Sequence, residues 1–108
     1  MKATVKPIAI LGAVLAMGAA STGVAQERSG EKIYSSYCST CHQIGAAGAP
    51  KLDAGDEWQS RLDERGREGL YKNSINGFKG MPPKGTCGDC SDSEMKAAVD
   101  YMLGEAVE

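Results

Sequence analysis

The chain reads as a small all-α domain, and three observations predict it. Strand-like runs of alternating β-branched residues are absent. The apolar periodicity that does occur is helical, clearest where Met95, Ala98, Val99, Met102 and Leu103 recur at i, i+3, i+4, i+7 and i+8. The composition is also thin in core material, with 14 glycines, one phenylalanine and one tryptophan among 108 residues. Domains this small need a staple, a metal or another large apolar body to stay folded. The expected architecture is therefore one helical domain, its first and last helices packed together and wrapped around such a body.

The N-terminal residues read separately. Lys2 and Lys6 precede an uncharged apolar run over residues 8–20, followed by small residues ending Gly23-Val24-Ala25. That order of basic start, short apolar stretch and small-x-small site is the form of a secretory signal, residues 1–25, cleaved near Ala25. The alternative, an uncleaved membrane anchor, has to contend with a run well short of the ~20 residues a spanning helix needs. A lipid anchor has no attachment point there, since the first cysteine is Cys38. The expectation is export to the periplasm and a soluble domain over residues 26–108. The whole chain carries a formal charge of −2, and cleavage removes two lysines and no acid. An acidic domain argues against nucleic-acid binding and against adhesion to anionic membranes.

The first helix of that domain is expected over residues 30–41, with Ile33, Tyr34 and Tyr37 on one face. Its end carries Cys38-Ser39-Thr40-Cys41-His42, the attachment signature of a c-type haem. One helical turn brings the two sulfurs to the two vinyl groups of one porphyrin, and the adjacent imidazole comes under the iron. His42 is the sole histidine, so a sixth ligand from the same chain cannot be another. A Cys-x-x-Cys pair can equally be a structural disulfide, a thioredoxin-like redox pair or half of a zinc site. In an oxidising compartment, zinc thiolates give way to disulfides and covalent cofactors.

A loop rich in glycine and alanine follows over residues 44–53. Asp56 is placed to cap a short helix carrying Trp58 and Leu62, which Gly66 interrupts. A further helix over 67–76 groups Leu70, Tyr71 and Ile75, and Gly77 closes it. Gly80-Met81-Pro82-Pro83-Lys84-Gly85 cannot be helical and makes a shaped loop. Ser91 and Glu94 have capping-box spacing ahead of the last helix. Three methionines of the domain could supply a thioether to iron. Met95 and Met102 fall on the apolar stripe, whereas Met81 is fixed by the prolines after it, which bias it away from helical angles. Sulfur opposite imidazole favours ferrous iron. The plain alternative is that Met81 only fills space.

With Gly48-Ala49-Pro50, Cys87-Gly88-Asp89-Cys90-Ser91 and the Ala97-Ala98-Val99-Asp100-Tyr101-Met102 helix added to those motifs, the chain resembles a class I c-type cytochrome of the c5 type. The resemblance covers nearly all of residues 26–108. It implies the class I cytochrome c fold around one covalent haem c, attached through Cys38 and Cys41 and ligated by His42 and Met81. It further implies that Pro50 offers its carbonyl to the far nitrogen of His42, which would fix the ring and strengthen it as a donor. A disulfide between Cys87 and Cys90 is likewise implied. Pro50 as a simple loop breaker and Cys87–Cys90 as a thioredoxin-like pair are the competing readings. Trp58 would donate its indole hydrogen to a haem propionate or else act as a core aromatic.

The function expected is electron carriage, not catalysis, through a closed iron site that meets donor and acceptor proteins transiently at the haem edge. Lys51, Lys79 and Lys84 would form a basic rim there, or simply a solvated surface. A small haem peroxidase or gas sensor would need a displaceable distal ligand, and a zinc module would use all four cysteines.

Overall fold

A computed structural model describes residues 3, 4, 12 and 27–108. The secretory leader expected over residues 1–25, with its cleavage near Ala25, falls almost wholly outside the described residues. Among those described, no helix is long and apolar enough to cross a membrane, and extended pairing is limited to one bridge between Phe78 and Met81.

Ser29 opens the first helix, its hydroxyl accepting the Lys32 N–H at 3.2 Å. α1 (Gly30–Ile33) widens into a π-helical turn, Tyr34–Cys38, before narrowing into α2 (Ser39–His42). The N–H of Ser39 closes the wide turn on the Tyr34 carbonyl, five residues back. One additional residue in a turn rotates everything after it by roughly 100°. Ile33 and Tyr34 can thus face the core while Cys38, Cys41 and His42 turn to line a cavity. The expected helix over 30–41 exists, but the wide turn that re-aims its end has no signature in the sequence.

α3 (Gly55–Asn76) contains the two helices expected on either side of Gly66, where φ 69° and ψ 169° break the rod into two limbs. Such angles are open to glycine without steric cost. Asp56 is not the cap: Ala54 holds that position and makes no side-chain bond. Asp56 and Glu57 instead lie in the first turn, where their charge meets the positive end of the helix dipole. Gly77 closes the helix as expected, at φ 87°.

α4 (Asp92–Ala106) begins with the capping box: the Ser91 hydroxyl accepts from Glu94 N, and a Glu94 oxygen accepts from Ser91 N, each at 3.0 Å. Its stripe of Met95, Ala98, Val99, Met102 and Leu103 is buried throughout. α1 and the π-helical turn after it pack directly on α4, as expected, with Tyr34 and Tyr101 rings 5.5 Å apart. Gly30 permits the approach, since a Cβ there would overlap the Ala97 carbonyl oxygen.

Arg28, which no local motif singles out, fastens the start of the domain to the start of α4. Its backbone N–H and its Nε donate to Glu94 at 2.9 and 2.7 Å, and a terminal nitrogen reaches Asp89 at 3.2 Å. The Arg28 side-chain bond, then the Ser91 and Arg28 backbone N–H groups, hold the buried Glu94 carboxyl down to about 2. On the outer surface Arg67 bridges Asp100 and Glu108, and Tyr71 donates to Asp100.

Candidate functional site

Between α2, the loop after it, α3, the 77–86 segment and α4 lies a cavity of about 420 Å³. That is within the size range of small-molecule pockets. Apolar groups dominate the walls: Trp58, Leu70, Phe78, Pro82, Val99 and Met102 among them. Cys38 and Cys41 line one side with free thiols. Burial, and then the neighbouring Cys41, push the Cys38 thiol up to about 11, so it stays protonated.

His42 is held at two points. Its carbonyl accepts the Leu52 N–H at 2.9 Å, which folds the intervening loop back over the ring. The ring Nδ1 lies 2.8 Å from the Pro50 carbonyl oxygen. A carbonyl can only accept, so Nδ1 carries the hydrogen and Nε2 keeps its lone pair. Nε2 has no hydrogen-bond partner among the described residues. Burial lowers the imidazole below its ordinary value, the Pro50 bond opposes this, and the Arg61 charge adds to the lowering. A neutral imidazole with one nitrogen fixed and the other bare is what metal ligation requires.

Met81 lines the same cavity on a tight turn, where Phe78 and Met81 exchange both backbone hydrogen bonds at 2.9 Å. Lys84 N donates to the Ser74 carbonyl at 2.8 Å, tying the far side of the proline pair to the end of α3. Met95 is a core residue at 1% exposure and does not line the cavity; Met102 does so while also packing in the core. Cys87 and Cys90 are joined as a disulfide where the loop becomes α4. Among the described residues, the one cluster of metal-ligating types is Cys87, Asp89 and Cys90, whose sulfurs are bonded to each other. A zinc module built on four cysteines has no second thiol pair to use.

Trp58 and Lys84 are each engaged with a backbone carbonyl. The Trp58 N–H donates to the Lys51 carbonyl at 2.8 Å, and its buried ring walls the cavity 5.6 Å from the His42 ring, the place of the core aromatic that is the other role expected for it. Lys84 is engaged with the Cys90 carbonyl at 2.7 Å and Asp92 at 3.1 Å, so it is a brace rather than part of a docking rim. Of the three lysines only Lys79 borders the cavity. Arg61 and Arg65 border it too, although their sequence pattern is that of solvent-facing charges on an amphipathic helix.

The residues fit a covalently held haem: two free thiols, a bare imidazole nitrogen and a thioether share one largely apolar cavity. Comparison with known proteins gives the same reading. Residues 25–102 match the family described as cytochrome c oxidase, cbb3-type, subunit III. The chain is 46% identical over 78 residues to cytochrome c5 of Azotobacter vinelandii, covering 71% of this chain and 94% of that one. Cytochrome c5 of Ectopseudomonas mendocina is 42% identical, with 71% and 90% covered. Among solved structures, a chain from the electron transfer complex of nitrite reductase with cytochrome c superposes with a TM-score of 0.66 at 38% identity, covering 71% of this chain and 93% of that one.

Proposed function

This chain belongs to the class I c-type cytochromes and resembles cytochrome c5, and from that premise we propose that it is a soluble periplasmic electron carrier with one haem ligated by His42 and Met81. A covalent haem c goes with that family, and the single Cys-x-x-Cys-His motif argues for one. Bound there, the group supplies a one-electron iron couple. Cys38 and Cys41 tether it through thioethers, and the Pro50 carbonyl keeps His42 in one orientation and one tautomer. Met81 is presented from a turn held by its own backbone bonds and stiffened by Pro82 and Pro83. The apolar walls exclude water.

The observation that carries the reading is the sharing of one cavity by the Cys38, Cys41 and His42 cluster and by Met81. Ligands fixed from two separate segments leave little to rearrange when an electron arrives, which favours transfer over bond-making. Export rests on the leader over residues 1–25. Transient redox partners are supported by the structural relative, which was solved in an electron transfer complex with nitrite reductase; the partner of this chain would be a protein docking at the cavity mouth. Voltammetry of the exported, matured protein tests the proposal. A reversible one-electron wave is expected, and turnover of peroxide with a displaced sixth ligand would count against it.

A further inference from the structure

The Lys51–Leu52 peptide is held on both edges. Its carbonyl accepts the Trp58 indole N–H at 2.8 Å and the Ala54 backbone N–H at 3.0 Å, while its own N–H donates to the His42 carbonyl at 2.9 Å. The peptide just before it carries the Pro50 carbonyl, 2.8 Å from the His42 ring nitrogen. Two successive carbonyls are therefore taken by two different rings. Among the described residues, His42 and Trp58 are the side chains that donate into the loop over residues 44–53. That loop has little else to hold its shape: residues 45–49 are glycine and alanine, with Gly45, Ala47 and Gly48 in the left-handed region at φ 77°, 53° and 78°. Trp58 stands on a separate element, in the first turn of α3, with 6% exposure and its ring 5.6 Å from that of His42.

We infer that Trp58 is a positioning residue for the proximal ligand: by fixing the Lys51 carbonyl it holds the adjoining Pro50 carbonyl on the Nδ1–H of His42, and so sets how strongly that imidazole donates to iron. The inference rests on the proposed haem site and adds a residue that acts on its ligand through the backbone. Peptide units are planar, so the two dihedrals of Lys51 alone separate the pinned carbonyl from the one that faces His42. A firm bond at the far nitrogen makes an imidazole more basic toward a metal. Stronger donation favours ferric iron, so slackening the Pro50 bond moves the balance toward ferrous. The Ala54 N–H stays on the Lys51 carbonyl when the indole N–H is lost, so the loop loosens without unfolding. A gap in place of the ring would act the other way, because water reaching the haem favours the more highly charged ferric state.

Trp58 is the sole tryptophan. Expression in tryptophan-starved cells supplied with benzothienylalanine therefore exchanges this one N–H for a sulfur at nearly constant shape. Redox titration of the matured holoprotein at neutral pH should show the ferric-to-ferrous ratio at fixed electrode potential falling about threefold in that isostere. In the ferrous, diamagnetic protein, magnetic resonance should show the His42 Nδ1–H exchanging with solvent about fivefold faster. Trp58→Phe, which also lacks the donor, should show the same faster exchange. An isostere with either quantity unmoved, or with the ratio moved toward ferric, would overturn the assignment and leave Trp58 a core aromatic. A pyridine haemochrome assay separates the two levels: haem present with an unmoved isostere sinks only the role of Trp58, whereas no haem in the unaltered protein sinks the site itself.

Discussion

Cys38 and Cys41 lie on the helical segment that ends at His42, with free thiols on a cavity; Cys87 and Cys90, at the same spacing, are bridged to each other where a loop becomes α4. The same three-residue interval serves opposite ends because the backbone differs. A helix presents both sulfurs to one side, and the residue directly after them is an imidazole fixed by Pro50. In the second pair Gly88 and Asp89 turn the chain so that the sulfurs meet, and the Arg28 guanidinium lies 3.8 to 4.0 Å from both of them. Spacing alone says that two sulfurs can act together; the local backbone and the next side chain decide on what.

Removing each pair in turn puts the largest strain on this contrast. Cys38→Ala with Cys41→Ala should abolish covalent haem, judged by denaturing-gel haem stain. It should also cost most of the far-ultraviolet helical signal, since the remaining core is thin. Native helicity and a cooperative melt in that variant would refute the idea that the cofactor holds the fold together. Cys87→Ser with Cys90→Ser should keep the haem and cost no more than about 2 kcal/mol in denaturant unfolding, because a ring so short constrains little chain entropy.

Between those extremes stands Met81→Ala, expected to leave the haem attached while opening the iron to carbon monoxide. Unchanged coordination would mean that another group supplies the ligand, with Met102 the other thioether on the cavity. The second cysteine pair also neighbours Glu94, whose folded value of about 2 lies below its ordinary 4.5. Its contribution is complete above about pH 4.5 and is lost as pH falls toward 2. Glu94→Gln should therefore flatten the fall in stability across that window, measured by denaturant midpoints. Smallest is Ser91→Ala, which removes one cap bond and should cost about 1 kcal/mol with no change in potential.

Much of the site is legible along the chain because it depends on short-range chemistry: a haem motif, a proline-stiffened methionine and a capping box are all local patterns. The rest depends on contacts between distant segments. The π-helical turn has no residue signature, since Tyr34 to Cys38 would serve an ordinary helix equally well. Asp56 has the residue type of a cap, but the start of α3 at Gly55 is set by the loop folding back on His42, not by propensity. The engagement of Trp58 and Lys84 is hidden because their partners, the carbonyls of Lys51 and Cys90, are backbone atoms that carry no side-chain signal. Arg28 and Glu94 are 66 residues apart, and nothing local in either announces the other.

Whether one cavity holds a haem between His42 and Met81 is tested most directly by absorption spectra of the exported protein in both redox states. A c-type haem spectrum is expected, with a ferric sulfur-to-iron charge-transfer band that disappears in Met81→Ala and a ferrous spectrum indifferent to carbon monoxide. A protein without haem absorption, or one whose ferrous form binds carbon monoxide at once, would contradict that assignment.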